Sequence, residues 1–308
     1  MFYTHGQSDY LLFLNPQALT TDNAIGDGRV ALALEYDGRS FHGWQLQKSG
    51  VRSVEAELNR AVARVADHPV DLVCAGRTDA AVHASYQIVH FDTPSVRNLR
   101  SWVMGINTAL PDDIAVHWAG HGVGDFHARF SATYRRYRYV IYNSPVRPGI
   151  QRGQVSWTYR PLDSERMHEA AQALSGEHDF SSFRAAGCQS RSPNRFMERI
   201  SVTRNGDFVV IDVQANAFLH HMVRNIAGAL MAVGSGARPV TWIREILETR
   251  DRKAAGVTAP PFGLYLVDVG YPERFAIPSA LCGPGFVRPW FQHDENAPRL
   301  PTWTHRPN

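Results

Sequence analysis

Arg77 and Asp79 stand two residues apart in AGRTDAAVHA (75–84), a spacing that in a tight loop brings opposite charges within a few ångströms. A guanidinium beside a carboxylate keeps it ionised, the state an aspartate nucleophile needs. The same tripeptide also serves as an ion pair that stitches a turn, and alone it does not separate the two roles. Arg224 lies in FLHHMVRNIAGAL (218–230), an apolar run with two histidines ahead of the arginine. Buried there, its guanidinium needs an anionic partner, for which Asp79 is the candidate; at the surface it needs none. Tyr137, in RRYRYVIYN (135–143), offers a flat ring face and a polar tip. Such a ring suits stacking on a base, and it suits an apolar core equally.

The chain has 14 histidines, two of them adjacent at His220 and His221. Neighbouring residues on a helix point about 100° apart and so do not chelate together. No HExxH, CxxC or comparable ligand spacing occurs, and no metal site is expected. GxGxxG and P-loop patterns are also absent, so the chemistry is expected to run without a cofactor.

Of the 32 basic residues only Lys48 and Lys253 are lysines. Between Phe126 and Arg160 stand Arg129, Arg135, Arg136, Arg138, Arg147, Arg152 and Arg160, interleaved with tyrosines and without a single Asp or Glu. Planar guanidiniums suit phosphate oxygens and stack on bases, so this stretch reads as a nucleic-acid footprint. A solvated basic face in an arginine-preferring lineage is the other reading. A hydrophobic fraction of 44% argues against general disorder. No run approaches 18 apolar residues, so no membrane span is expected, and the N-terminus lacks the features of a signal peptide. Cys74, Cys188 and Cys282 are odd in number and far apart, which fits a reducing cytoplasm without a disulfide framework.

The elements that must position these residues fall into two blocks with the same rhythm of strand, helix, strand, strand, helix, strand. In the first, RVALALEY (29–36) is a strand, and a helix begins near Ser53 with Val54, Leu58, Ala61, Val62 and Val65 on one face. Strands VDLVC (70–74) and YQIVHFD (86–92) flank the Arg77–Asp79 loop. A second helix carries Leu99, Trp102, Val103 and Ile106, Pro111 marks its end, and IAVHWAG (114–120) closes the block. The second block opens on YRRYRYVIYN (134–143), followed by a helix from an Asp163 N-cap to Gly176. Asn205-Gly206 turns a hairpin over 197–214. Helices then span Phe218–Gly234 and 240–249, and FGLYLVDV (262–269) is the last strand. The pattern predicts an α+β fold of two similar domains, each an antiparallel sheet covered by helices. Their expected bounds are 29–125 and 126–272, between an N-terminal extension (1–28) and a C-terminal tail (273–308) that read as appendages.

The segment from Gly76 to Ala84 resembles the active-site loop of the tRNA pseudouridine synthase A family, GRTDAGVHA, in which the Asp is catalytic. Ala81 departs from that pattern, standing where the family has Gly. If the backbone there is left-handed, the alanine costs about 1 kcal/mol. YDGRSFHGWQLQ (36–47), FHARFSA (126–132), RRYRYVIYN, FLHHMVRNIAGAL and AGVTAPPFGLYLVDVGYP (255–272) are similar to further family segments in order, so the resemblance covers residues 29–272. It implies the pseudouridine synthase fold and isomerisation of uridine to pseudouridine at positions 38, 39 and 40 of the tRNA anticodon stem-loop, by a homodimer. It implies that Asp79 is the nucleophile, that Tyr137 packs on the target base and that Arg224 is a second active-site arginine. Arg77 would fill the place of the extruded base. Phe126, His127, Ala128, Arg129 and Phe130, with Gly187, Cys188, Gln189, Ser190 and Arg191, resemble tRNA-contacting loops, in which Arg129 and Arg191 would meet phosphates. Without the resemblance, a non-catalytic RNA-binding protein and a metal-dependent hydrolase built on the histidines stay open.

Overall fold

The computed structural model describes residues 24–25, 28–278, 283–287 and 290. Nearly all of the expected N-terminal extension, Cys282 and the chain beyond 290 lie outside the described residues.

The first block comprises strands β1 (Ala24–Ile25), β2 (Gly28–Tyr36), β3 (Val73–Cys74), β4 (His83–Thr93), β5 (Arg97–Asn98) and β6 (Ile114–His121). Its helices are α1 (Val54–Ala66) and α2 (Leu99–Ala109). Helix α1 starts where Ser53 accepts a hydrogen bond from the Ala56 N–H, with Glu55 and Glu57 placed against the positive end of the helix. It buries Val54, Leu58, Ala61, Val62 and Ala66 and stops at Asp67 in the left-handed region. Helix α2 is capped by Asn98, whose side chain accepts from the Ser101 N–H at 2.7 Å. Its Trp102 is fully buried, edge-on to Phe91 at 5.4 Å. Each such large apolar side chain contributes about 1.5–3 kcal/mol on burial.

The second block comprises β7 (Tyr134–Asn143), β8 (Ser156–Thr158), β9 (Gly176–Asp179), β10 (Asn194–Asn205), β11 (Phe208–Ala215) and β12 (Leu264–Gly270), with α3 (Ser164–Ala171), α4 (Met222–Gly234) and α5 (Trp242–Thr249). Asp163 caps α3 as expected, accepting from Glu165 and Arg166 N–H groups. The expected hairpin is present, Asn205 pairing with Phe208 across Gly206 in the left-handed region.

Two separate sheets, one per domain, were the expectation; ten strands spanning both blocks instead form one sheet, while β1 and β5 pair in a small sheet of their own. Its main path runs β6-β2-β4-β12-β7-β11-β10-β9, with β3 on β4 and β8 on β7. Each half is antiparallel along this path, and the halves meet where β12 lies parallel to β4, with Tyr265 opposite His83 and Leu266 opposite Ala84. The apolar core under the helices is correspondingly continuous across both halves. The seam puts the loop that precedes β4 beside the central strands of the second half.

Other boundaries also differ. Of VDLVC only Val73 and Cys74 pair, while β4 begins three residues ahead of the expected strand. Helix α3 ends at Ala171, followed by a 3-10 turn (Gln172–Leu174), because Gly176 at φ 93° opens the unexpected strand β9. Residues 218–221 are not helical: α4 starts at Met222, after His221 at φ 60°. The described part of the C-terminal tail is no appendage. Tyr86 donates to the Pro278 carbonyl and Arg138 to the Gly283 carbonyl. Val287 is fully buried against Val140, Val155, Val210, Tyr265 and Val267. The tail covers apolar residues on the face of the sheet away from the main core, which water would otherwise meet.

Candidate active site

The loop between β3 and β4 is pinned from several sides before it reaches Asp79. Gln87, fully buried, donates to the Gly76 carbonyl at 2.7 Å. The Tyr36 hydroxyl and Thr78 Oγ1 are 2.8 Å apart, and the Thr78 carbonyl accepts from Trp44 N–H at 3.0 Å. Phe41 accepts from Ala81 N–H at 3.1 Å. Gly38 leaves no room for a Cβ against the Val82 carbonyl, and Gly43, at φ 92°, packs on Thr78 and Asp79. The segment 36–47 thus holds the loop, which explains its two glycines. Ala81 has φ 60°, so the left-handed condition on its cost is met.

Asp79 keeps 25% of its side chain exposed. Arg224 Nη1 donates to its Oδ2 at 3.3 Å, and Arg224 Nε donates to the Ala259 carbonyl at 2.9 Å. The guanidinium facing Asp79 is therefore Arg224. Arg77 is exposed, and no ion pair among the described residues joins it to Asp79, contrary to the expectation from their spacing. Two histidines complete the surround: His220 Nε2 lies 3.3 Å from Oδ1 and His221 Nε2 3.4 Å from Oδ2. Helical geometry was the ground for dismissing this pair, and it fails because neither residue lies within α4. With His221 left-handed, the two rings sit 4.0 Å apart, and both converge on Asp79. The absence of any ligand-spacing motif concealed a His-His-Asp group whose donor atoms all lie within 4.8 Å of one another. Burial pushes the His221 imidazole down; Asp79 opposes this, while His220 and Arg224 add to it.

Tyr137 lies on β7 facing the helices, 8% exposed and edge-on to Phe218 at 5.1 Å. Burial pushes its phenol far above the ordinary range; Arg135 opposes the rise and Asp79 adds to it. The hydroxyl stays protonated, a donor at neutral pH, beside Gly76 at the base of the loop.

The basic stretch divides by register. Arg136 and Arg138 point to the opposite face of β7 and are buried. Arg136 Nε meets Asp212 Oδ1 at 2.7 Å and Arg138 Nε meets Oδ2 at 2.9 Å. Burial pushes the Asp212 carboxyl up, and the two guanidiniums outweigh it, leaving the group ionised with its pKa lowered. These two arginines neutralise an internal carboxylate and are withdrawn from any nucleic-acid surface. Arg135 ties the Ala75 carbonyl to β7 at 2.9 Å. Arg129, Arg147, Arg152 and Arg160 remain exposed.

In the 126–130 loop, Phe126 and Ala128 are fully buried and act as anchors, so they offer no contact surface. Phe126 packs on Tyr271 and Phe275, and the Ala128 N–H donates to His90 Nδ1 at 3.1 Å. His127 stacks on Phe130 at 4.4 Å, and Arg129 lies over the same ring at 5.6 Å. Phe130 is 77% exposed, which presents an aromatic face and a cation together. In the second loop, Gly187, Gln189 and Arg191 are exposed, while Cys188 and Ser190 are half-buried. Cys188 Sγ accepts from the His220 N–H at 3.4 Å, which docks this loop beside Asp79. Burial pushes the thiol up, but the His220 and Ser190 N–H groups and Arg184 lower it overall. Both Cys74 and Cys188 are free thiols.

A tRNA pseudouridine synthase family model matches residues 32–131 and 170–272. The chain is 55% identical over 272 residues to tRNA pseudouridine synthase A of Pseudomonas aeruginosa, covering 88% of this chain and 95% of that protein. It is 58% identical over 259 residues to proteins of the same name from Shewanella amazonensis and Pseudoalteromonas atlantica, covering 84% of this chain and 99% and 98% of theirs. Identity at this level along nearly the whole of each relative, together with the match on both sides of the seam, makes this chain a member of the tRNA pseudouridine synthase A family.

Proposed function

We propose that this chain isomerises uridine to pseudouridine in tRNA, with Asp79 as the nucleophile. The observation that carries the reading is the convergence of three elements from distant parts of the chain: Arg224 on the Asp79 carboxylate, with Tyr137 beneath the same loop. Arg224 orients the carboxylate through its hydrogen bond to Oδ2, and the substrate needs no added group. The C1′–N1 bond breaks, the uracil rotates, C5 bonds to C1′, and the C5 proton leaves as N1 gains one. Asp79 assists by attack on the ribose or the base, or by removing a ribose proton. Water exclusion and stacking by Tyr137 hold the detached uracil during its rotation.

The anticodon stem-loop, at positions 38 to 40, is the proposed target. A stem uridine is stacked and paired, so it must be extruded, and Arg77, which is exposed, is the residue proposed to fill the gap. Arg129, Phe130 and Arg191 are the proposed contacts to the RNA backbone and bases. Two copies of the chain would share the tRNA, each with halves 29–125 and 126–272 contributing opposite walls of the site, and the enzyme would work in the cytoplasm. Among the described residues no helix is long and apolar enough to cross a membrane.

The test is to incubate the full chain with an unmodified tRNA transcript that has uridines at 38, 39 and 40 and at control positions, then map pseudouridine by carbodiimide-dependent primer-extension stops. Stops at 38 to 40 alone are expected. Product confined to another arm of the tRNA would overturn the target, and the absence of product would overturn the activity.

A further inference from the structure

His220 and His221 have no part in the isomerisation as drawn, yet their ring nitrogens stand 3.3 and 3.4 Å from the two oxygens of Asp79. These separations exceed a charge-assisted hydrogen bond of about 2.7–2.9 Å. The two nitrogens flank the same carboxylate, and one ligand atom from each residue lies within 4.8 Å of the others, so side-chain shifts of about an ångström would bring all three onto one ion bonded at about 2.0–2.2 Å. We propose that Asp79, His220 and His221 form a site for one Zn2+ ion, and that the bound ion switches the isomerase off.

Two imidazoles and one carboxylate make a donor set that favours zinc and its transition-metal neighbours over magnesium, which prefers an all-oxygen shell. The ligands are already assembled, with every donor atom within 4.8 Å of the others. Their backbones are fixed as well. The His221 carbonyl accepts from Asn225 N–H at 2.9 Å, the His220 carbonyl accepts from Ala185 N–H at 3.0 Å, and Val82 N–H closes the turn on the Asp79 carbonyl at 3.2 Å. His221 stands at φ 60°, a left-handed conformation that histidine enters more readily than most residues and that turns its ring toward Asp79. The three side chains are 25%, 45% and 30% exposed, so an ion reaches them from solvent.

Arg224 sets the strength of the site. Its guanidinium lies 3.3 Å from Oδ2 and repels an incoming cation. That repulsion makes the site reversible and inhibitory, since the ion and Arg224 compete for one carboxylate. With its lone pairs on the metal, Asp79 no longer attacks or abstracts. The binding rests on the geometry; the inhibition rests also on Asp79 being the nucleophile.

The experiment uses the untagged full chain, treated with EDTA and then freed of chelator. Titration with Co2+ alone should give a saturable visible ligand-field absorption at one ion per chain, abolished when Zn2+ displaces it. His220→Ala and His221→Ala should each weaken Co2+ binding by more than about tenfold. His117→Ala, which removes an exposed histidine paired with Glu35, should bind as the wild type does. Saturating Zn2+ should suppress pseudouridine formation, EDTA should restore it, and Mg2+ at the same concentration should leave it unchanged. Absent saturable absorption, or equal affinity in both site variants and the wild type, overturns the site. A saturated site with undiminished activity overturns the inhibition. The functional reading fails separately, if metal-free Asp79→Asn turns over normally.

Discussion

Ala81 carries a left-handed backbone two residues after Asp79, at φ 60°. An L-residue there costs about 1–2 kcal/mol, part of which glycine would return as unfolded-chain entropy. Ala81→Gly should therefore raise stability by about 0.5–1 kcal/mol in urea titrations; a lower midpoint would show that the methyl group contributes packing that outweighs its strain. The residues proposed to do chemistry were singled out through the family resemblance of the short segments that hold them, Asp79 after Arg-Thr, Tyr137 among arginines and Arg224 behind two histidines. Their pairing was less legible. Arg77 is nearer to Asp79 in sequence, yet Arg224, 145 residues away, makes the contact. His220 and His221 were misjudged through an assumed helix start at Phe218, four residues ahead of the observed Met222, which changes where both side chains point. Arg136 and Arg138 belong to the same basic stretch as Arg129, and only strand register and Asp212 separate internal from external charge.

Most elements were readable from periodicity and helix starts: Ser53 and Asp163 each accept the hydrogen bonds that start a helix, and Asn98, not among the expected starts, does the same for α2. The short strands β8 and β9 carry too few residues to show a period, and they exist because longer neighbours offer them an edge, while β3 is shorter than the strand expected over 70–74. Strand β4 is tied to the 126–130 loop through His90, which accepts the Ala128 N–H. Burial, reinforced by the Arg29 and His127 charges, holds this imidazole down at about 4, against an ordinary value of about 6.5. As pH falls the unfolded chain takes the proton first, so stability is complete above about 6.5 and declines between there and about 4. From pH 7 to pH 5 the decline should be about 1–2 kcal/mol. His90→Asn, which keeps an acceptor but does not titrate, should lose that share of the slope in urea titrations at the two pH values. An unchanged slope would remove His90 as its source.

At the scale of the molecule, the expected α+β layering holds, but the two blocks share one sheet. Their union depends on β12 lying parallel to β4, a pairing between residues about 180 positions apart that no local pattern encodes. The seam also explains why the site needs both halves: the Asp79 loop comes from the first, and Tyr137 and Arg224 from the second. The tail was unreadable for a related reason. Lacking periodicity, its apolar residues show no purpose until the sheet provides the surface that Val287 covers. Deleting residues 279–308 should cost about 2–4 kcal/mol, read by urea titration, as Val140, Val210 and Val267 become exposed. Equal stability would show that the tail only rests on that face.

The central claim, that Asp79 performs an isomerisation of tRNA uridine, is tested most directly by tritium release. Forming the C5 bond expels the C5 hydrogen, so tRNA labelled with tritium at uracil C5 reports each turnover. The wild-type chain in EDTA should release label, and Asp79→Asn should bind the same tRNA with wild-type affinity while releasing none. Release by Asp79→Asn at a rate near that of the wild type would contradict the account.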